Sequence, residues 1–71
     1  MAEMIESEIV ANVWKVLVKP GDAVAEGDTV MILESMKMEI PVEIENAGTV
    51  SAVHVAEGDS VTEGGALVTV E

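Results

Sequence analysis

Lys37 stands between two methionines, Met36 and Met38, with Glu34 and Glu39 just outside them, and the only other cations in the chain are Lys15 and Lys19. A lysine that catalyses by itself must be held as a free amine by burial or by neighbouring cations. Carboxylates bracket Lys37 instead, so it is not expected to activate itself. Methionine is soft, adaptable apolar surface, and beside an amine it suits recognition by another protein. The combination reads as an acceptor lysine modified in trans; the plain alternative is a solvated hairpin lysine beside two methionines.

Other residue types offer less. His54 is the sole histidine and cysteine is absent, so neither a metal set nor a Cys–His nucleophile can be built, and His54 is expected at the surface. Asp22, Glu26 and Asp28, like Glu57, Asp59 and Glu63, gather near glycines without the spacing of a calcium loop, and they are read as solvated turn residues. Trp14 is assigned to the core, with a partner-docking patch as the alternative.

The segment carrying the lysine has a regular period. Met38, Ile40, Val42 and Ile44 alternate with Glu39, Pro41, Glu43 and Glu45, the signature of a strand with one buried face. Lys37 then falls at the connection preceding that strand, where a tight turn directs it outward. That connection, residues 35–38, joins two copies of one unit. Shifting residues 8–34 by 37 positions superposes them on 45–71 without a gap, and ten of the 27 pairs are identical, among them Val13/Val50, Gly21/Gly58, Asp22/Asp59, Val24/Val61 and Gly27/Gly64.

Valine-rich runs, glycine punctuation and no sustained helical period make each copy β. Val16, Val18, Val53 and Val55 are core candidates by parity, as are Met31, Leu33, Val68 and Val70, with Val24 and Val61 closing the ends. Gly21, Gly27, Gly48, Gly58 and Gly64 are read as turn glycines with positive φ. Two helix-free copies must cover each other. The expected fold is therefore all-β, a flattened barrel or sandwich of two antiparallel sheets with a pseudo-twofold internal repeat, the hairpin at one pole and the termini at the other.

Composition sets the limits. A 71-residue chain is one small domain, 1–71, and a large buried pocket would hollow out the core it needs. A self-contained enzyme is not expected. With 14 acidic against 3 basic side chains the net charge is −11, which repels phosphate backbones and anionic lipid, so nucleic acid and membrane surfaces drop out as partners. At 49% hydrophobic residues the chain is too apolar for a disordered acidic tail. The absence of cysteine, of a long apolar run and of a signal core fits a cytoplasmic protein. With an initial Met and both repeats whole, the chain is expected to be complete, an excised domain being the alternative, and to act as a monomer.

Glu34-Ser35-Met36-Lys37-Met38-Glu39, at the midpoint of such a repeat, resembles the attachment motif of the biotinyl/lipoyl attachment domain family. The run Val18 to Asp28 and the Ala47-Gly48-Thr49-Val50 segment are similar to that family as well, so the resemblance covers nearly the whole chain, in the manner of its short free-standing, biotin carboxyl carrier type members. Ser35 departs from the usual alanine. Glu8 to Asn12 departs from a Pro-containing turn ending in Gly-Thr, which leaves that turn's geometry open because Ala11 resists positive φ. The thumb insertion of some carriers has no room here.

The resemblance implies that Lys37 is the covalent attachment point and that Met36, Met38 and Glu34 are recognition residues. The cofactor it implies is biotin, since two methionines flank the lysine where lipoyl domains typically carry Asp-Lys-Ala. The implied partners are a biotin protein ligase, a biotin carboxylase and a carboxyltransferase, between which a carboxyl group is carried on a swinging arm while the domain itself catalyses nothing. The rival readings are a lipoyl carrier of a 2-oxo acid dehydrogenase-type complex and an unmodified interaction module.

Overall fold

In a computed structural model, which describes residues 2–71, the chain forms eight strands: β1 (Glu3–Glu6), β2 (Ala11–Val16), β3 (Ala23–Val24), β4 (Thr29–Ser35), β5 (Met38–Glu43), β6 (Gly48–Val53), β7 (Ser60–Val61) and β8 (Ala66–Val70). They make two antiparallel four-stranded sheets ordered β1-β8-β6-β3 and β5-β4-β2-β7. The fold is the expected all-β pair of sheets. No helix among the described residues is long and apolar enough to cross a membrane.

The 37-residue offset organises the packing. Among the described residues, ten of the twelve buried apolar side chains fall into five offset pairs: Val13/Val50, Val24/Val61, Val30/Leu67, Met31/Val68 and Leu33/Val70. The other two are Ala11, whose mate is Gly48, and Ile44, whose mate Ser7 is the one buried polar side chain. The repeat thus extends upstream, with β1 the counterpart of β5. The halves also interlock: Gly21 N–H donates to the Val50 carbonyl and Gly58 N–H to the Val13 carbonyl, both at 2.8 Å. Gly27 and Gly64 repeat the arrangement on the Ile44 and Ser7 carbonyls, again at 2.8 Å. The turn glycines of each copy thus donate to backbone of the other copy.

Two kinds of β-bulge break the simple alternation, and each occurs twice, at offset positions. Opposite β4, Val13 pairs with Leu33 and Lys15 with Ile32, so Trp14 is the extra residue; opposite β8, Val50 pairs with Val70 and Ala52 with Thr69, so Ser51 is. Val30 and Leu67 are the extra residues where β4 meets β5 and β8 meets β1. An extra residue shifts the parity of everything beyond it.

Several expectations are corrected by these bulges. Val13 and Val50 lie in the core, while Val16, Val18, Val53 and Val55 are only partly buried and pack against its margin. Val30 and Leu67 are fully buried next to Met31 and Val68, two consecutive inward residues that no alternating strand supplies. Trp14 belongs to the surface and not to the core: it is 43% exposed, with the Lys15 ammonium 5.6 Å from its ring centroid. Val24 and Val61 are buried as expected.

The turn residues divide by geometry. Gly21, Gly27, Gly58 and Gly64 have positive φ. Gly48 does not; it is required by close approach, since a Cβ there would lie 2.6 Å from the Glu71 carbonyl oxygen. The aspartates do more than face solvent. Asp22 accepts the Lys19 N–H at 3.0 Å, Asp28 that of Ala25 at 2.8 Å and Asp59 that of Ala56 at 2.9 Å, each closing a turn locally. Ala11 sits in β2 opposite Val61 without positive φ, and its mate Gly48 has none either, so neither copy requires a left-handed residue at that position.

Candidate functional site

β4 and β5 converge on a two-residue loop. Ser35 pairs with Met38, Glu34 with Glu39 and Leu33 with Ile40, so Met36 and Lys37 alone make the reversal. Both carry left-handed backbone, φ 53° and 66°. That is the requirement of a type I′ turn, whose twist matches the flanking strands and which usually selects Asn-Gly. A non-glycine residue held there costs on the order of 1 kcal/mol, so the tip is a strained pair on a stiff base. The base is stiff because β4 is a central strand: Asn12 pairs with Glu34 on the β2 side, Leu33 is buried, and the Ser35 hydroxyl donates to the Val10 carbonyl at 3.2 Å.

The side chains at the tip face water. Met36 is 92% exposed and Met38 61%, and Lys37, Glu34 and Glu39 are exposed too. The apolar parity read along residues 38–44 holds as a gradient, from exposed Met38 through half-buried Ile40 and Val42 to buried Ile44. Lys37 and the two glutamates form no ion pair; among the described residues the ion pair that forms is Lys19–Asp22, at 3.4 Å. The amine is free at the tip, and Glu34 and Glu39 stand directly opposite each other as an uncompensated like-charge pair.

Structure therefore brings Lys37, Met36, Met38 and Glu34 together on one knob and adds Glu39, which the sequence reading used only to bracket the lysine. The two-residue loop length would have found it, because that register sets 34 against 39. Val10, whose carbonyl braces Ser35, has no sequence signal at all. His54 follows β6, in the sheet that does not carry the hairpin, with Nε2 2.8 Å from the Thr69 hydroxyl. Asp22 is the group whose acidity shifts: the Lys19 backbone N–H, with the nearby ammonium, holds its carboxyl below the usual carboxylate value.

Known proteins resemble this chain along nearly its whole length. A family model described as "biotin-requiring enzyme" matches residues 1–70. The chain is 52% identical over 64 residues, 90% of each chain, to a "biotinylated protein TB7.3 homolog" of Mycobacterium leprae. It is 47% identical over 64 residues, covering 90% of this chain and 88% of the other, to a "biotin/lipoyl attachment protein" of Bacillus subtilis. Among solved structures, that of the Kluyveromyces lactis urea carboxylase superposes with a TM-score of 0.93 at 34% identity, over 100% of this chain and 6% of that one. Repeat, hairpin and matches agree that the chain belongs to the biotinyl/lipoyl attachment domain family, as a biotin attachment domain.

Proposed function

We propose that this protein is a biotin carrier: a biotin protein ligase joins biotin to Lys37, and the arm then conveys a carboxyl group between a biotin carboxylase and a carboxyltransferase. The observation that carries this is the strained two-residue tip, which sets the lysine in open water with methionines 92% and 61% exposed on either side. In the attachment step the Lys37 Nζ, having lost a proton to the ligase's base, forms an amide with the carboxyl carbon of activated biotin, and the activating group leaves. Bound biotin supplies the ring that carries the carboxyl group. The domain's own residues orient and recognise: Met36 and Met38 offer apolar contact, Glu34 and its neighbour Glu39 a negative patch for a cationic partner surface.

The hairpin fits that group. No other side chain folds over Lys37 with a hydrogen bond or ion pair among the described residues, and the groove lined by Ile5, Ile9, Ile40 and Val42 includes none of residues 34–39. A tethered arm thus sweeps from a fixed point, with a reach on the order of 10 Å or more for a chain of ~1.5 Å bonds. On this reading the domain has no catalytic residue and works in the cytoplasm beside its partner enzymes.

Intact mass and peptide mapping after expression with an active biotin protein ligase test the proposal. The expected result is one biotin increment, on Lys37 and abolished by Lys37→Arg. A lipoyl increment after expression with a lipoate ligase, or an unmodified chain in both cases, would transfer the assignment to the lipoyl carrier or to the interaction module.

A further inference from the structure

β1 and β5, the outer strands of the two sheets, border one open groove of about 680 Å³. Its walls are twofold mates. Ile5 and Val42 form one pair, Glu6 and Glu43 a second, Glu8 and Glu45 a third, so the pseudo-twofold runs along it. The floor is aliphatic and half-buried, with Ile9 and Ile40 joining Ile5 and Val42. The rim carries Glu3, Glu6, Glu8, Glu43, Glu45 and Glu63, and none of the three lysines contributes to the lining.

An apolar floor ringed by like charge is an incomplete surface. Six carboxylates around one concavity repel one another, and a partner whose cationic side chains meet them while its aliphatic side chains cover the floor gains on both counts. We infer that this groove is a docking site for a protein segment bearing lysine or arginine together with aliphatic side chains, separate from the lysine hairpin. Charge complementarity selects that occupant. A second copy of the chain would set the same carboxylates face to face, and an anionic surface would meet them as well. Pro41, midway along β5, has no N–H to offer a neighbouring strand, so the segment is held by its side chains and not by extending that sheet.

The test needs no modification of Lys37. A short fluorescent peptide of alternating lysine and leucine is titrated into the intact protein, with methyl NMR spectra recorded on the same samples. Saturable binding is expected, with shifts confined to Ile5, Ile9, Ile40 and Val42. Glu6→Gln/Glu43→Gln should weaken it about fivefold, as two rim charge pairs of ordinary strength would, while Glu26→Gln/Glu71→Gln, an equal change in net charge outside the groove, should alter it less than about twofold. Methyl dispersion reports that each variant is folded. No binding, equal losses in both double variants, shifts at the hairpin or spread over the surface, equal affinity for a lysine–serine peptide, or self-association through the groove would each overturn the inference.

Discussion

Glu34 and Glu39 face each other across the β4–β5 ladder, two carboxylates side by side with no cation paired to either. Opposed like charges destabilise a strand pair by up to about 1 kcal/mol, and recognition gives a reason to keep them. Glu39→Lys should therefore raise thermal stability, by a few degrees for a domain of this size. The same change, and Glu34→Lys, should slow biotin incorporation by purified ligase. Calorimetry and a streptavidin gel-shift time course measure the two effects, and a variant both more stable and equally well modified would remove Glu34 and Glu39 from the recognition surface.

Left-handed backbone at Met36 leads to a second separation of stability from function. Asparagine suits the first central position of a type I′ turn better than methionine does, so Met36→Asn should stabilise the domain by up to ~1 kcal/mol in urea denaturation. Loss of the 92% exposed thioether should at the same time lower the initial rate of biotinylation. Unchanged stability would show that the turn's geometry is not set by residue preference.

Ile44 sits just past the far end of the strand that begins at the hairpin, buried where its mate Ser7 is polar. Ile44→Ala should cost about 2–5 kcal/mol, the usual range for truncating a buried isoleucine. In a domain this small that is a large part of the total, and the variant should be partly unfolded by circular dichroism at ambient temperature.

Interlocked halves predict cooperative folding. Fragments 1–36 and 37–71, made separately, should both be disordered, because β4 loses β5, β2 loses β7 and β6 loses β3. Mixing them should restore a dispersed NMR spectrum. A folded single fragment would mean that one copy is self-sufficient.

Acid should act through Asp22. The Lys19 backbone N–H holds its carboxyl below the ordinary carboxylate value, so the turn it closes contributes stability that is fully present above that ordinary value and lost as pH falls through the lower, folded one. Asp22→Asn should lower stability slightly at neutral pH and flatten the acid limb in that window, so that variant and parent converge at low pH. Urea midpoints measured across the acid range check this.

The features legible in the sequence were those fixed by symmetry and local preference. Gly21/Gly58, Gly27/Gly64 and Val24/Val61 marked the repeat, and the alternation from Met38 to Ile44 fixed the strand register beside Lys37. The bulges were hidden because one extra residue leaves no mark on composition while inverting parity, and that misplaced Trp14, Val16 and Val53. The pair Trp14/Ser51, so unlike in size at twofold-equivalent positions, was the available sign: a side chain outside the core is free to vary. Glu39's place opposite Glu34 and the brace from Val10 to Ser35 are tertiary matters, visible only once β2, β4 and β5 are laid side by side.

Asn46, just past the end of β5 remote from the hairpin, has its Nδ2 3.5 Å from Glu3 Oε1, and Glu3 is paired with Val70. Entry and exit of the polypeptide therefore share one site, at the end of the body away from Lys37. Such a unit can be spliced onto a longer protein by a single stalk, with the lysine left facing outward at the distal end.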